Sequence, residues 1–507
     1  MNQLKAGAAL NYVVIILNIL VGLLYTPFML RMLGQSEYGL YSLVASVISY
    51  LTVLDLGFGN AIVRYTAKFR AEGKVREQYE MFGMFLVLYT VIGIVAMLIG
   101  YVLYSNVDTW FGDAMTMEEL SKTRVILLLL IFNLAFTFPM SLFGAIILAY
   151  ERFVFPKAVN ILRIVLNTVI MILLLEMGYR VIAMVILQTV FNVLSLLCNF
   201  YYCKYKLHIR ILFRKFRWGF LKEVSLYSFW IFLSVIMDRI YWSTGQFVLA
   251  MYVNTASVAI FAVAVQLSIL YMSFSTSITG VFLPKVTQMI ASERDKGEIS
   301  DLFIRTGRIQ YIVMAFILSG FVVFGRPFIH LWAGADYADT YAISLLFFVS
   351  LTIPMIQNVG ITILQARNRM KFRSLLYLVI AFVSLYFQFV LAKRYGGWGC
   401  AIAISAALFV GQGLIMNVYY HRSQGLDMLR FWKEMGRMSV VPVVVGVSAW
   451  WFLRDTVWEN GFQLGLAMGV YTLVYLPLFF HYSMNQTERN LFLAPLRKIR
   501  SLAYARD

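Results

Sequence analysis

The sequence predicts an all-α polytopic protein with 14 transmembrane helices, and three observations carry that prediction. Hydrophobic residues make up 61% of the 507 positions and charged residues 13%, roughly half the ~25% charged share of an ordinary soluble domain. The apolar residues come in runs, each near the roughly 20 residues a helix needs to span the hydrocarbon layer. Between the runs stand short charged turns, and none of these reaches domain size.

In chain order the runs place spans at 8–30, 38–62, 81–104, 125–150, 156–175, 179–202, 223–250, 256–282, 309–328, 340–364, 374–392, 396–419, 438–453 and 461–481. Pro27, Pro139, Gly144 and Pro354 lie inside these runs. Breakers at that depth argue for a packed bundle, in which neighbouring helices satisfy the freed backbone groups. The first run lacks a small-residue cleavage signature before the next span, so it is expected to stay as the first helix. Cys198, Cys203 and Cys400 are scattered through or beside apolar runs and suggest neither a disulfide framework nor a metal cage. His208, His330, His421 and His481 are dispersed near span ends. No metal and no organic cofactor is expected.

The net charge of +18 invites a nucleic-acid reading, and the placement of the charges excludes it. Basic residues gather in every second connection: Arg64 to Arg76, Arg152 and Lys157, Lys204 to Lys222, Lys285 to Arg308, Arg367 to Arg373, and Arg422 to Arg437. The positive-inside rule makes these turns and both termini cytoplasmic. The basic excess then serves topology and contact with anionic membrane lipids. With only short turns outside the spans, a folded soluble catalytic domain has no place.

The long basic connection at 203–222 divides the chain into an N-terminal six-helix bundle, 1–202, and a C-terminal one, 223–419. Residues 420–507 add two peripheral helices and a cytoplasmic tail. A faint repeat supports the division: Arg31 to Tyr41, between the first two spans, corresponds to Met251 to Phe261, with Gly34 matched to Asn254 and Tyr41 to Phe261. Six spans separate the copies, so both have the same orientation. Such a parallel repeat suits two bundles rocking about a central cavity.

Polar side chains at membrane depth mark the candidate site, because an ionised residue facing lipid costs about 2.5–3.5 kcal/mol on insertion scales. Asn160, Arg163 and Asn167 share one face of the fifth span at i, i+3 and i+7. Arg163 can offer five donors to phosphate or sugar oxygens, or it can lock the bundle by pairing with Asp55 or with carbonyls. Asp55, flanked by Gly57 and Gly59, is either a gate carboxylate or a structural cap or ion pair. Asp238 and Arg239 sit near the middle of the seventh span, about 100° apart around the helix. One is expected to face the cavity and the other a neighbouring helix. Gln246 shares the Arg239 face, while Gln266 and Gln357 extend the polar surface to spans eight and ten.

The words Leu10 Asn11 Tyr12, Tyr25 Thr26 Pro27 Phe28, Leu33 to Tyr41 and Leu54 to Tyr65 resemble the polysaccharide transporter family. That family includes the Wzx-like O-antigen flippases and belongs to the multidrug, oligosaccharidyl-lipid and polysaccharide exporter superfamily. The resemblance implies a MATE-like, V-shaped pair of six-helix bundles plus two helices in the bacterial inner membrane. It also implies a non-enzymatic activity: moving undecaprenyl-diphosphate-linked oligosaccharide repeat units to the periplasmic leaflet for O-antigen, capsule or exopolysaccharide synthesis. A polysaccharide polymerase or assembly complex would be the protein partner, and the chain is expected to work as a monomer. Intramembrane carboxylates couple protons or sodium in related drug exporters, which makes Asp55 and Asp238 the coupling or gate candidates. Two other readings stay open, a cation-coupled small-molecule exporter and a membrane polysaccharide polymerase or glycosyltransferase. The latter would be expected to show a substantial outer loop or an acidic catalytic motif, whereas the outer turns here are short.

Overall fold

The computed structural model describes residues 3–213, 218–291, 295–367, 369–458, 460–491 and 493. Parts of the basic connections, at 214–217 and 292–294, and most of the basic tail lie outside those residues.

A chain in lipid must pair each backbone N–H and C=O within the protein, and a helix does this inside its own segment. Among the described residues the regular structure is accordingly helical. The first compact unit holds α1 (Gln3–Leu20), α2 (Thr26–Leu51), α3 (Phe58–Ala71), α4 (Val75–Ser105), α5 (Val107–Phe111), α6 (Met117–Ala149), α7 (Val154–Glu176), α8 (Val181–Tyr201), α9 (Trp218–Trp242) and α10 (Thr244–Tyr252). The chain continues through α11 (Thr255–Ala291), α12 (Lys296–Trp332), α13 (Asp339–Ile356), α14 (Val359–Ala366), α15 (Lys371–Leu408), α16 (Met416–Gln424), α17 (Met428–Leu453) and α18 (Gly461–Tyr482).

Eleven helical stretches among the described residues are long and apolar enough to cross a membrane. Two of them, Ala9–Ala71 and Lys371–Gln424, run for 63 and 54 residues, more than twice the ~20 residues of one crossing. Neither is continuous: Gly34 (φ 76°) interrupts α2 and Gly396 (φ 55°) interrupts α15, and glycine adopts these conformations without a Cβ clash. The Gly34 break falls in the turn expected between the first two spans, and the Gly396 break at the first residue of the span expected at 396–419. The expected spans 223–250 and 340–364 are each divided, the first at Ser243 between α9 and α10, the second at Gln357 and Asn358 between α13 and α14. α12 extends well past the expected 309–328, because hydropathy finds the apolar part of a helix and not its charged ends.

By compactness the chain forms two units, Met1–Ala262 with Leu385–Cys400, and Val263–Ser384 with Ala401–Asp507. In the first, α4 packs along α6. A methyl group added at Gly93 would press on the Ala135 carbonyl, and one at Gly100 would run into Ile131. Lipid tails are as apolar as leucine, so helices associate there through close backbone approach, which small residues permit. The opposite face of α4 shows Val91, Ile94, Leu98 and Tyr101 outward, as a lipid-facing surface would. Phe58, Phe82, Phe85, Tyr89, Phe138 and Phe143 fill the core between α3, α4 and α6.

In the second unit α12 packs against α13, α17 and α18. Tyr271 of α11 stacks on Phe348 of α13 at 4.3 Å between ring centroids and shares a 2.7 Å hydrogen bond with Thr352. Near the end of the chain Arg308 is bound by Glu488 at 2.5 Å and Glu434 at 2.5 Å, and donates to the Ser483 carbonyl at 3.1 Å. This pins the segment after α18 to α12 and α17.

Candidate functional site

Three helices of the first unit carry polar pairs four residues apart: Asn133 and Thr137 on α6, Arg163 and Asn167 on α7, and Gln188 and Asn192 on α8. Residues at i and i+4 lie one above the other on a helix face. The fold turns these three faces toward one another around a cavity of about 370 Å³, with Asn18, Ile48 and Thr52 completing the wall.

Asn192 organises the polar wall. Its Nδ2 donates to Asn133 Oδ1 at 2.7 Å and to Thr137 Oγ1 at 2.8 Å, while Thr137 Oγ1 donates to the Asn133 carbonyl at 2.7 Å. The remaining Asn192 Oδ1 accepts a long 3.5 Å contact from Arg163 Nη1. Among the described residues that is the only hydrogen bond of a side chain with five donors, so the guanidinium is held at the cavity wall with most of its capacity unspent. Asn167 Oδ1 is buried and has no partner among the described residues. A half-buried cation among amides and hydroxyls suits an anionic or polyhydroxylated ligand, because a guanidinium binds phosphate and carboxylate oxygens with charge-assisted hydrogen bonds.

Of the residues expected from sequence, Arg163 and Asn167 therefore meet in one cavity. Asn160, a turn earlier and half-buried, is not part of its lining. Asp55 lies in a one-turn 3₁₀ helix ahead of α3, where its carboxylate accepts from Tyr89 at 2.8 Å and from the amides of Gly57 and Gly59. The ion-pair alternative with Arg163 is not formed, since Arg163 turns to Asn192.

Asp238 is exposed and Arg239 half-buried, so the two adjacent charges enter different surroundings. Arg239 Nε is buried without a partner among the described residues, and its carbonyl accepts from Tyr50 at 3.2 Å. Gln246 follows on α10, half-buried and beyond the break at Ser243. Gln266 and Gln357 belong to the second unit. Gln357 is buried at the break after α13 and donates to Asn417 at 3.0 Å, which also accepts from Trp432 at 2.7 Å. Its amide nitrogen is occupied in packing. Asn133, Thr137, Gln188 and Asn192 were missed from sequence. The i, i+4 polar pairs inside apolar runs were the signal that marked them.

A model of the family described as polysaccharide biosynthesis protein matches residues 4–290. The uncharacterized membrane protein EpsK of Bacillus subtilis (strain 168) is 20% identical over 510 aligned positions, covering 96% of this chain and 97% of the relative. Among solved structures, the lipid II flippase MurJ in an inward closed conformation superposes with a TM-score of 0.73 at 16% identity, over 97% of this chain and 99% of that one. An inward-facing multidrug resistance MATE family transporter of the MOP superfamily gives 0.60 at 15% identity, over 80% and 99%. These likenesses show the fold. The family model spans more than half of the chain, and the chain, a multi-pass membrane protein, belongs to the polysaccharide biosynthesis protein family.

Proposed function

We propose that the chain is a flippase that moves an undecaprenyl-diphosphate-linked oligosaccharide from the cytoplasmic to the periplasmic leaflet, for O-antigen, capsule or exopolysaccharide synthesis. The observation that carries this reading is the cavity in which Arg163 meets Asn133, Asn167 and Asn192, in a chain of this family. Its chemistry matches the cargo: the guanidinium offsets diphosphate charge, the amides and hydroxyls contact sugar, and the polyprenyl tail stays in lipid.

In this reading the chain crosses the inner membrane 14 times with both termini cytoplasmic. The halves are 1–202 and 223–419, joined by 203–222, with 420–507 as accessory helices and tail. Asn160, Arg239 and Gln246 are further polar contacts in the first unit and Gln266 one in the second, anionic lipids hold the cytoplasmic turns, and a polymerase or assembly complex receives the product. Asp238, exposed beside Arg239, is the coupling candidate. Transport by Asp238→Asn, measured under separately imposed proton and sodium gradients, should lose its dependence on one of them.

The decisive experiment measures leaflet transfer of the diphosphate-linked oligosaccharide by the full chain and by Arg163→Gln in reconstituted vesicles. The variant should reach normal membrane abundance and lose transfer; normal transfer would remove Arg163 from the site. The likeness to a MATE transporter favours a second reading, a cation-coupled small-molecule exporter. Drug efflux without any change in surface glycan would select it.

A further inference from the structure

The two turns related by the internal repeat meet at a single carboxylate. Ser36, in the turn Arg31 to Tyr41, donates to Glu119 Oε1 at 2.5 Å, and Thr255, in the turn Met251 to Phe261, donates to the same oxygen at 2.6 Å. The other oxygen, Oε2, accepts from the Thr116 amide at 2.8 Å and the Thr116 hydroxyl at 3.1 Å, and the Glu119 amide returns a bond to Thr116 Oγ1 at 3.3 Å. This capping box fixes Glu119 to the start of α6. One oxygen is thus anchored to its own helix, and the other is offered to two turns.

The two sides of that contact are built differently. Glu37, next to Ser36, accepts from Lys122 of α6 at 2.6 Å and from the Val181 amide of α8 at 3.0 Å. An ion pair and a buried amide therefore tie α2 to α6 and α8. The seam from α2 toward α10 and the start of α11 uses hydroxyls: Ser49 to Ser243 at 2.7 Å, Tyr50 to Thr244, and Thr255 to Glu119. The two hydroxyl–hydroxyl contacts exchange for water at small net cost, so the bond from Thr255 to the Glu119 carboxylate is the stronger hold on this seam. At the outer end of this seam Gly39 lies against Thr255, where any Cβ would collide with the Thr255 carbonyl. The backbones touch without interlocking.

We propose that Glu119 is the latch of an outer gate. Its hydrogen bonds to Ser36 and Thr255 hold the outer ends of α2 and α11 together, and the gate opens when Thr255 leaves Glu119 while Glu37, Lys122 and Val181 keep α2, α6 and α8 in one piece. The inference rests on the transporter reading above and on the charge pattern that places these turns outside.

The test uses the full chain in intact cells, with Cys198, Cys203 and Cys400 replaced by alanine and a reporter cysteine at cavity-lining Ile48 (Ile48→Cys). A membrane-impermeant maleimide is added from outside, and to inverted vesicles for the cytoplasmic side. Thr255→Val, near-isosteric and lacking only the donor, should raise external labelling roughly tenfold, the scale of one lost hydrogen bond to a charged group. Gly39→Val and Glu119→Ala should do the same, and combining Thr255→Val with Glu119→Ala should add nothing further. Unchanged external labelling in Thr255→Val at normal abundance would overturn the latch, even if Glu119→Ala proves poorly folded. A rise confined to inverted vesicles would overturn the placement of the gate on the outer side. The readout needs no glycan, so failure of glycolipid transfer would reject the flippase reading while leaving this result standing.

Discussion

Asn192 directs its amide nitrogen to Asn133 at 2.7 Å, and this leaves its oxygen facing Arg163 at 3.5 Å. The orientation of one α8 side chain thereby decides that the guanidinium meets the amide oxygen, an acceptor, and not the amide NH2.

Asn192→Asp should place a carboxylate against Arg163 and remove the donor that serves Asn133 and Thr137. The ion pair would then occupy the guanidinium. Glycolipid transfer should fall about tenfold or more, the equivalent of ~1.4 kcal/mol, at near-normal membrane abundance. A transfer assay with a parallel immunoblot checks both halves of the expectation, and undiminished transfer would show that Arg163 does not need to be free.

Asp55 accepts from Tyr89, Gly57 and Gly59, so its local role is to order the turn entering α3. Asp55→Asn keeps one acceptor oxygen for the glycine amides, and its NH2 can donate to the Tyr89 hydroxyl, so it should retain both thermal stability and transfer. Asp55→Ala strands them and should lower stability by about 1–3 kcal/mol, seen as an earlier unfolding transition in detergent. Loss of gradient-driven transfer in a stable Asp55→Asn protein would instead make this carboxylate a coupling group.

Gly83 of α4 lies against the Leu212 carbonyl, where a Cβ has no room, and the Leu212 amide donates to the Tyr79 carbonyl at 3.2 Å. Leu207, Ile209 and Ile211 pack on the core of the first unit while His208 and Arg210 stay exposed. Gly83→Val should displace this stretch at an overpacking cost of typically about 1–3 kcal/mol. Trypsin cleavage at Lys206 and Arg210 in inverted vesicles should accelerate, and an unchanged cleavage rate would count against a packed connection.

Arg308 is held by Glu488 and Glu434, with Arg308 and Glu488 side chains 7% and 1% exposed. Removing one partner of a buried pair costs about 3–5 kcal/mol, because the other charge is left uncompensated. Arg308→Met should therefore unfold well below the unmodified protein in a thermal scan. The triple change that also converts Glu434 and Glu488 to glutamine should recover part of that loss. Equal loss in both would mean that packing, and not charge, holds the end of the chain.

The sequence by itself determined the solvent. Run length and a 13% charged share admit a membrane and little else, and the words between Leu10 and Tyr65 carried the family. Helix periodicity also placed Arg163 and Asn167 on one face. What periodicity cannot state is which face meets which, since a lipid-facing leucine and a core leucine look alike in sequence. The tertiary structure made that choice: it brought Asn133, Thr137, Gln188 and Asn192 opposite Arg163. It also left Asn160 outside the lining, satisfied Asp55 with Tyr89 of α4 and the amides of Gly57 and Gly59, occupied the Gln357 amide with Asn417, and broke two expected spans at Ser243 and Asn358. Each of these depends on partners distant in the chain or on local backbone turns, and neither leaves a trace in composition or in the spacing of apolar residues.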